Sequence, residues 1–85
     1  MMQMLKELER RYDLWCTLDA YIAENLQPSN SWLKRGDVQR QILNALGLPC
    51  NTPNCREVNA RMNKAGYKTV RNTGYQYYTN VAQKP

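Results

Sequence analysis

Residues 52–81, TPNCREVNARMNKAGYKTVRNTGYQYYTNV, decide the fold of this chain. Thr52 is a suitable helix cap, and Pro53 fits the first turn because its missing N–H has no helical acceptor there. Gly66 can adopt the left-handed conformation that ends a helix. The residues after it are rich in aromatic and β-branched side chains, and they flank Asn72-Thr73-Gly74, which suits a tight turn. We therefore predict a helix followed by a β-hairpin.

A long helix is predicted ahead of this stretch, over residues 3–26. Its apolar side chains, from Leu5 to Leu26, recur at steps of three and four residues and so share one face. Asp19 falls on that face, and a buried carboxylate needs a partner such as an arginine or a tyrosine hydroxyl. This apolar face is too long for the remaining elements of a small domain to cover completely. We therefore expect its uncovered N-terminal part to form a homodimer interface, which comprises Met1, Met4, Leu5 and Leu8.

The second helix is predicted between two breaks in the pattern. Residues 27–31, QPSNS, end the first helix, and residues 32–35 form a short extended segment that can join the hairpin as a third strand. Asp37 is a good N-cap for a helix that runs to about Leu46. Gly47 then supplies a left-handed stop. The predicted order is helix, short strand, helix, turn, helix and hairpin.

This order predicts one domain over residues 1–85, mainly α-helical with a small β-hairpin, which is an α+β fold. It is the plan of a winged helix-turn-helix, with a long first helix at 3–26, a helix-turn-helix at 32–66 and a hairpin at 67–81. We call this hairpin the wing. The wing has two strands, or three with the short segment before the second helix. Because a two-stranded hairpin is marginally stable alone, we expect it to pack on the helices.

Three motifs between residues 32 and 81 are Trp32-Leu33-Lys34-Arg35-Gly36-Asp37, Met62-Asn63-Lys64-Ala65-Gly66-Tyr67-Lys68 and Gly74-Tyr75-Gln76-Tyr77-Tyr78. Through these motifs, the chain from about residue 32 to residue 81 resembles the winged-helix domain at the C-terminal end of phage and plasmid primase-helicase proteins. The resemblance implies a DNA-associated domain of a phage or other mobile element. It does not carry over ATPase or primase activity, because the similar stretch contains neither portion.

The charge of the chain is distributed unevenly. The net charge is +5, but residues 1–33 carry three basic and five acidic side chains, a net −2. Residues 34–85 carry nine basic and two acidic side chains, a net +7. A basic surface attracts phosphate backbones through counterion release, although a merely solvated surface has the same composition. The charge therefore favours nucleic-acid binding in the second half of the chain.

The third helix carries the predicted DNA-reading face. Opposite its apolar stripe lie Arg56, Glu57, Ala60, Asn63 and Lys64, and in a helix-turn-helix this face enters the major groove. Arginine can read guanine and asparagine can read adenine, whereas flanking side chains, including that of Arg61, reach phosphates. Any surface helix also shows a polar face, so this face alone does not indicate DNA binding. The basic hairpin that follows the helix is what favours DNA binding. The predicted DNA contacts are Lys34, Arg35, Thr52, Asn54, Arg56, Ala60, Asn63, Lys64, Lys68, Arg71 and Asn72.

The tyrosines of the second wing strand allow another interpretation. Aromatic side chains on a strand can stack on the bases of a single-stranded nucleic acid. Alternation along a strand puts Tyr75 and Tyr77 on one face and Tyr78 on the other. Since at least one face must belong to the core, these tyrosines also fit a purely structural role.

The residues needed for catalysis or metal binding are missing from the sequence. There is no histidine, and the three cysteines, Cys16, Cys50 and Cys55, fall short of a structural zinc set. We therefore expect no catalytic residue, no metal and no cofactor. No apolar run is long enough to span a bilayer, and the first residues lack the order of a signal peptide, so we expect a cytoplasmic protein with reduced thiols.

These patterns predict a protein that binds double-stranded DNA through its third helix and wing. The expected role is a transcription regulator, or a replication or packaging accessory of a mobile element, with a replication or packaging protein as a further partner. The alternative is a protein–protein interaction module that uses the same fold and the long first helix. The cluster of basic residues around one helix and one hairpin favours the first prediction, because a docking module does not need it.

Overall fold

The computed structural model describes the backbone of residues 2–85 and the side chains of residues 12–85. It contains three helices and three strands, so the predicted α+β class is confirmed. The predicted first helix, 3–26, is shifted by one residue at each end. The elements are α1 (Met2–Asn25), β1 (Leu26–Lys34), α2 (Arg35–Ala45), α3 (Thr52–Lys64), β2 (Thr69–Asn72) and β3 (Tyr75–Gln83).

The three strands form one antiparallel sheet in the order β1-β3-β2. The hairpin of β2 and β3 turns through Thr73 and Gly74, both with positive φ, 51° and 83°. Two positive φ values match the right-handed twist of the strands, which explains the Thr-Gly turn. The strand ahead of the second helix does pair with the hairpin, as expected, so β3 is the central strand.

The first strand is longer than predicted. Residues 27–31 were expected to be a break, yet β1 runs through them from Leu26. Pro28 is tolerated because β1 is an edge strand, where a missing N–H costs no central ladder bond. The register shifts between Pro28 and Trp32, and Asn80 on β3 takes a φ of 58° at the same level. The breaker residues therefore produce an irregularity within the strand rather than a loop.

The start of α2 also differs from the prediction. Lys34 occupies the N-cap position with extended backbone and makes no capping bond through its side chain. Asp37 lies within the first turn instead, where its Oδ1 is 2.8 Å from the Arg40 guanidinium. A carboxylate in the first turn still complements the helix dipole. Asp37 therefore supports the helix through its charge and not as its cap.

The start of α3 is capped one residue earlier than predicted. The side chain of Asn51, not that of Thr52, accepts a hydrogen bond from the backbone N–H of Asn54 at 3.0 Å. Pro53 lies in the first turn, as expected. Both Asn and Thr are good caps, so the difference depends on the backbone of the turn before the helix.

The core lies between the three helices and one face of the sheet. Leu18, Ile42 and Leu43 are fully buried, and Tyr78 of the central strand is buried among them. Burying such side chains contributes roughly 1.5–3 kcal/mol each relative to exposure. The remaining buried hydrophobic residues are Ile22, Leu26, Val38, Val58, Met62, Tyr67 and Val81.

Asp19 has a partner, as its place on α1 predicted, and of the two kinds expected the partner is an arginine. Arg61 of α3 donates two hydrogen bonds to its carboxylate, at 2.7 and 2.5 Å. The Asp19 side chain is 45% exposed, so the expectation that it is buried was wrong. The Arg61 guanidinium also lies over the ring of Trp15, 5.5 Å from its centre. These contacts join α1 to α3.

The predicted dimer strip of Met1, Met4, Leu5 and Leu8 lies outside the described side chains. In the described part of the chain, no helix combines the length and the apolar composition needed to cross a membrane.

Candidate nucleic-acid interface

The exposed face of α3 consists of residues at four-residue intervals. Thr52, Arg56, Ala60 and Lys64 are all exposed, whereas Val58 on the other side of the helix is fully buried. Residues four apart lie one above another on a helix, so these side chains form a single row. Arg56, Ala60 and Lys64 belong to the face predicted opposite the apolar stripe, whereas Thr52 was predicted only as a contact at the helix start. We call it the α3 row.

Two residues predicted at or beside this row belong to a different contact. Glu57 accepts a hydrogen bond from the indole N–H of Trp15 on α1. Arg61 is held by Asp19, and its side chain is only 14% exposed. The hydrogen bonds that Arg61 donates to the Asp19 carboxylate raise the pKa of Arg61 above its ordinary value. Both side chains are therefore engaged with α1, and the phosphate contact predicted for Arg61 requires this ion pair to open.

The predicted asparagine contacts are partly engaged within the chain. The side-chain N–H of Asn54 donates to the Pro49 carbonyl at 2.8 Å, and that of Asn63 donates to the Asn59 carbonyl at 2.8 Å. Both side chains are half-buried. Reading an adenine through two hydrogen bonds requires both the amide oxygen and an amide N–H. The second amide hydrogen of each asparagine is the one that remains for such a contact.

The wing carries its predicted basic residues at its exposed edge. Arg71 and Asn72 end β2 beside the turn, and both are exposed. Lys68 is exposed as well, and its Nζ lies 3.4 Å from the carbonyl oxygen of Asn63 near the end of α3. The structure therefore brings Lys68 to α3, whereas Arg71 and Asn72 stand at the tip.

Two neighbouring clefts connect the α3 row with the wing, and both are lined by Arg35 and Gln39. The cleft of about 410 Å³ lies between the start of α2 and the wing turn, and also includes Lys34 and Arg40. The cleft of about 400 Å³ continues along α3, past Arg56 and Ala60. We call the two together the basic groove.

The charge of the basic groove is strongly positive. Its charged lining residues are four basic side chains and one acid, Asp37, which gives a net charge of +3. Asp37 is itself paired with Arg40. Lys34, Arg35 and Arg56 form no ion pair with any of the described side chains, residues 12–85. Arg40 and Gln39 were not predicted from the sequence as groove residues, because a helical pattern does not show which other element the polar face of the helix lies beside.

A buried hydrogen-bond network lies behind the groove. The amide of Gln39 donates to the hydroxyl of Tyr78 at 3.2 Å, and this hydroxyl donates to Asn59 Oδ1 at 3.0 Å. Burial raises the pKa of Tyr78 to about 12, so its hydroxyl stays protonated. The network links α2, β3 and α3, and therefore fixes the two walls of the groove relative to the sheet.

The tyrosines of β3 divide between the two faces of the sheet as alternation predicts. Tyr78 is fully buried, whereas Tyr75 is 59% exposed and Tyr77 is half-buried. Tyr78 therefore belongs to the core, and its neighbours belong to the outer face.

Side chains that bind metals do not cluster in the described part of the molecule. No three His, Cys, Asp or Glu residues there come close enough to hold a metal ion. Cys16 and Cys50 are exposed, Cys55 is half-buried, and all three are free thiols.

Comparisons with protein-family models, with curated protein sequences and with solved structures found no match for this chain.

Proposed function

We propose that this protein is a winged-helix domain that binds duplex DNA through α3 and the wing. The observation that carries the proposal is the α3 row, with Arg56 and Lys64 exposed on either side of Ala60, beside a groove of net charge +3. A basic surface of this kind gains binding free energy by releasing the counterions of the phosphate backbone. The resemblance to the primase-helicase winged-helix domain points in the same direction.

The dimensions and chemistry of α3 suit the major groove. The helix has 13 residues, which corresponds to roughly 20 Å, and the major groove is about 12 Å wide. Ala60 in the middle of the row allows the helix to approach the base edges closely. Arg56 has the geometry to donate two hydrogen bonds to a guanine, and Lys64 supplies a point charge for a phosphate.

The wing and the basic groove hold the DNA backbone in this proposal. Arg71 and Asn72 at the tip contact phosphates or enter a minor groove, and Lys68 contacts phosphates beside the end of α3. Lys34 and Arg35, ahead of α2, bind the backbone on the other side of the groove. Thr52 and the half-buried Asn54 lie near the start of α3, where helix N–H groups favour phosphate.

The proposed biological role is that of a non-enzymatic, cytoplasmic DNA-binding protein of a phage or other mobile element. Two roles agree with duplex binding. One is regulation of transcription, and the other is an accessory role in replication or packaging, with a replication or packaging protein as partner. The alternative, a protein-docking module, predicts no salt-dependent affinity for DNA. Measuring the affinity for DNA therefore separates the two.

Fluorescence anisotropy with a random-sequence duplex at several salt concentrations tests the proposal. About five phosphate contacts give a slope of log affinity against log salt of about −4 to −5. No binding with micromolar protein at about 50 mM salt would contradict duplex binding.

Matched charge variants locate the binding face. We expect Arg56→Ala to cost about 1–3 kcal/mol of binding free energy if this side chain reads a base. Lys64→Gln reduces the salt slope by about one. Lys84→Gln removes the same charge from a residue whose Nζ bonds the Ala23 carbonyl, away from the α3 row, and leaves the affinity unchanged. Equal losses from Lys64→Gln and Lys84→Gln would mean that another face binds DNA.

A further inference from the structure

The outer face of the sheet, which turns away from the core, is lined by aromatic side chains. Residues directly opposite each other in neighbouring strands share a face. Trp32 is opposite Thr79, and Lys34 is opposite Tyr77, both within the β1–β3 pairing. Tyr75 belongs to the same face by alternation along β3. We call Trp32, Tyr75, Tyr77 and Lys34 the aromatic face.

Two of the three rings on this face are open to solvent. Trp32 is 48% exposed and Tyr75 is 59% exposed, and Tyr12 on α1 is the other large exposed hydrophobic residue among residues 12–85. The rings of Trp32 and Tyr77 are 5.7 Å apart between centres, tilted by 42°. Half-exposed aromatic rings on this face add little to the core, because the sheet contributes to the core from its opposite face, through side chains such as Leu33 and Tyr78.

The charge around the aromatic face is positive. The three strands contain no aspartate and no glutamate. Lys34 lies on the aromatic face, whereas Arg71, which is opposite Gln76, lies on the other face of the sheet. Lys34 Nζ lies 4.8 Å from the centre of the Tyr75 ring, which places an ammonium group directly beside an exposed ring. Exposed rings beside a lysine, on strands that carry no acid, match the chemistry of a nucleic-acid strand, with bases for the rings and a phosphate for the lysine.

We propose that the aromatic face binds single-stranded nucleic acid, with unpaired bases stacked on Trp32 and Tyr75 and a phosphate bound by Lys34. Stacking needs an unpaired base, because the faces of paired bases are covered by their neighbours in the duplex. The face is separate from the α3 row, and two of its residues, Lys34 and Tyr75, also line the basic groove. Because Trp32 belongs to the aromatic face and not to the basic groove, its substitution distinguishes stacking on this face from duplex binding.

The fluorescence of Trp32 gives a direct test. The chain has two tryptophans, and Trp15 is half-buried against Glu57 and Arg61, so Trp15→Phe leaves Trp32 as the sole reporter. We expect an oligothymidine or oligouridine of about 12 nucleotides to quench this fluorescence, because a stacked base quenches an indole. If Trp15→Phe does not fold, the unaltered protein is titrated instead. If neither oligonucleotide quenches the fluorescence, the proposal is overturned.

Substitutions separate stacking from general electrostatic attraction. Trp32→Ala weakens oligothymidine binding by roughly 5- to 150-fold, whereas Trp32→Phe keeps most of the affinity. Tyr75→Ala weakens binding in the same direction. Arg56→Ala is the matched control, since it affects duplex affinity and leaves oligothymidine affinity unchanged.

Two other results would overturn the proposal. In the first, Trp32→Ala weakens duplex and single-strand binding equally, which would make the face part of the duplex site. In the second, the protein forms a dimer that Trp32→Ala dissociates, which would make the face an interface between copies. Oligothymidine binding without duplex binding would support this proposal and refute the one made for α3.

Discussion

Removing the hydroxyl of Tyr78 tests the network behind the basic groove. In Tyr78→Phe the ring still fills its fully buried site, but Gln39 loses its 3.2 Å acceptor. The remaining acceptor for Gln39 is the Cys55 carbonyl at 3.5 Å, a marginal distance, whereas Asn59 is half-buried and can bind water. One buried donor is thus left without a good partner, which costs about 1–3 kcal/mol. Urea unfolding followed by circular dichroism measures this loss.

The same hydroxyl gives a pH dependence of known sign. Burial raises the Tyr78 pKa from 10.0 to about 12, so the fold favours the protonated form. The stabilisation is complete below about pH 10 and is lost as the pH rises towards 12, with a total of about 2–3 kcal/mol. In Tyr78→Phe this part of the alkaline loss disappears, whereas Tyr75→Phe, an exposed control, retains it. An unchanged alkaline slope in Tyr78→Phe, or greater stability than the unaltered protein, would refute the reasoning.

Three further predictions concern stability and assembly. Arg61→Ala lowers the free energy of unfolding by about 1 kcal/mol or more. In a double-mutant cycle measured by urea unfolding, Arg61→Ala and Asp19→Ala together cost less than the sum of the two single losses, and additive losses would contradict the ion pair. Gly74→Val costs about 1–2 kcal/mol because valine is strained at a φ of 83°, whereas Gly36→Ala, which meets no atom within 4 Å, does not lower the melting temperature. Sedimentation at micromolar concentration shows a dimer that Leu5→Glu dissociates, and a monomer in both proteins would contradict the predicted α1 interface.

The parts of the fold that depend on local chemistry were predictable from the sequence. Gly66 and Gly74 both have positive φ, at 100° and 83°, and they end α3 and form the wing turn where expected. The α3 row was predictable because a helix repeats its faces at fixed steps. The choice of Asn51 over Thr52 as the cap was not, because two adjacent residues with similar capping ability differ only through the backbone of the preceding turn.

The parts that depend on distant residues were not predictable. The first strand passes through Pro28 because it pairs with β3, more than fifty positions further along the chain. The same pairing places Trp32 on the aromatic face, so no local pattern marks it as a surface residue. Glu57 belongs to the polar side of α3 by its spacing, yet it turns towards Trp15 of α1. Asp19 was the one signal of this contact, because a carboxylate on an apolar face requires a partner.

The strand order β1-β3-β2 sets the time at which this protein can fold during its synthesis. The strands β1 and β2 both pair with β3, which is translated after them. Until residues 75–83 have left the ribosome, Leu26 and Leu33 have no sheet to join, and the helices lack the layer that covers them. Neither pairing of the sheet can therefore form before β3 has emerged. A nascent chain stalled before Tyr75 exposes its apolar helix faces and becomes a substrate for chaperones and proteases.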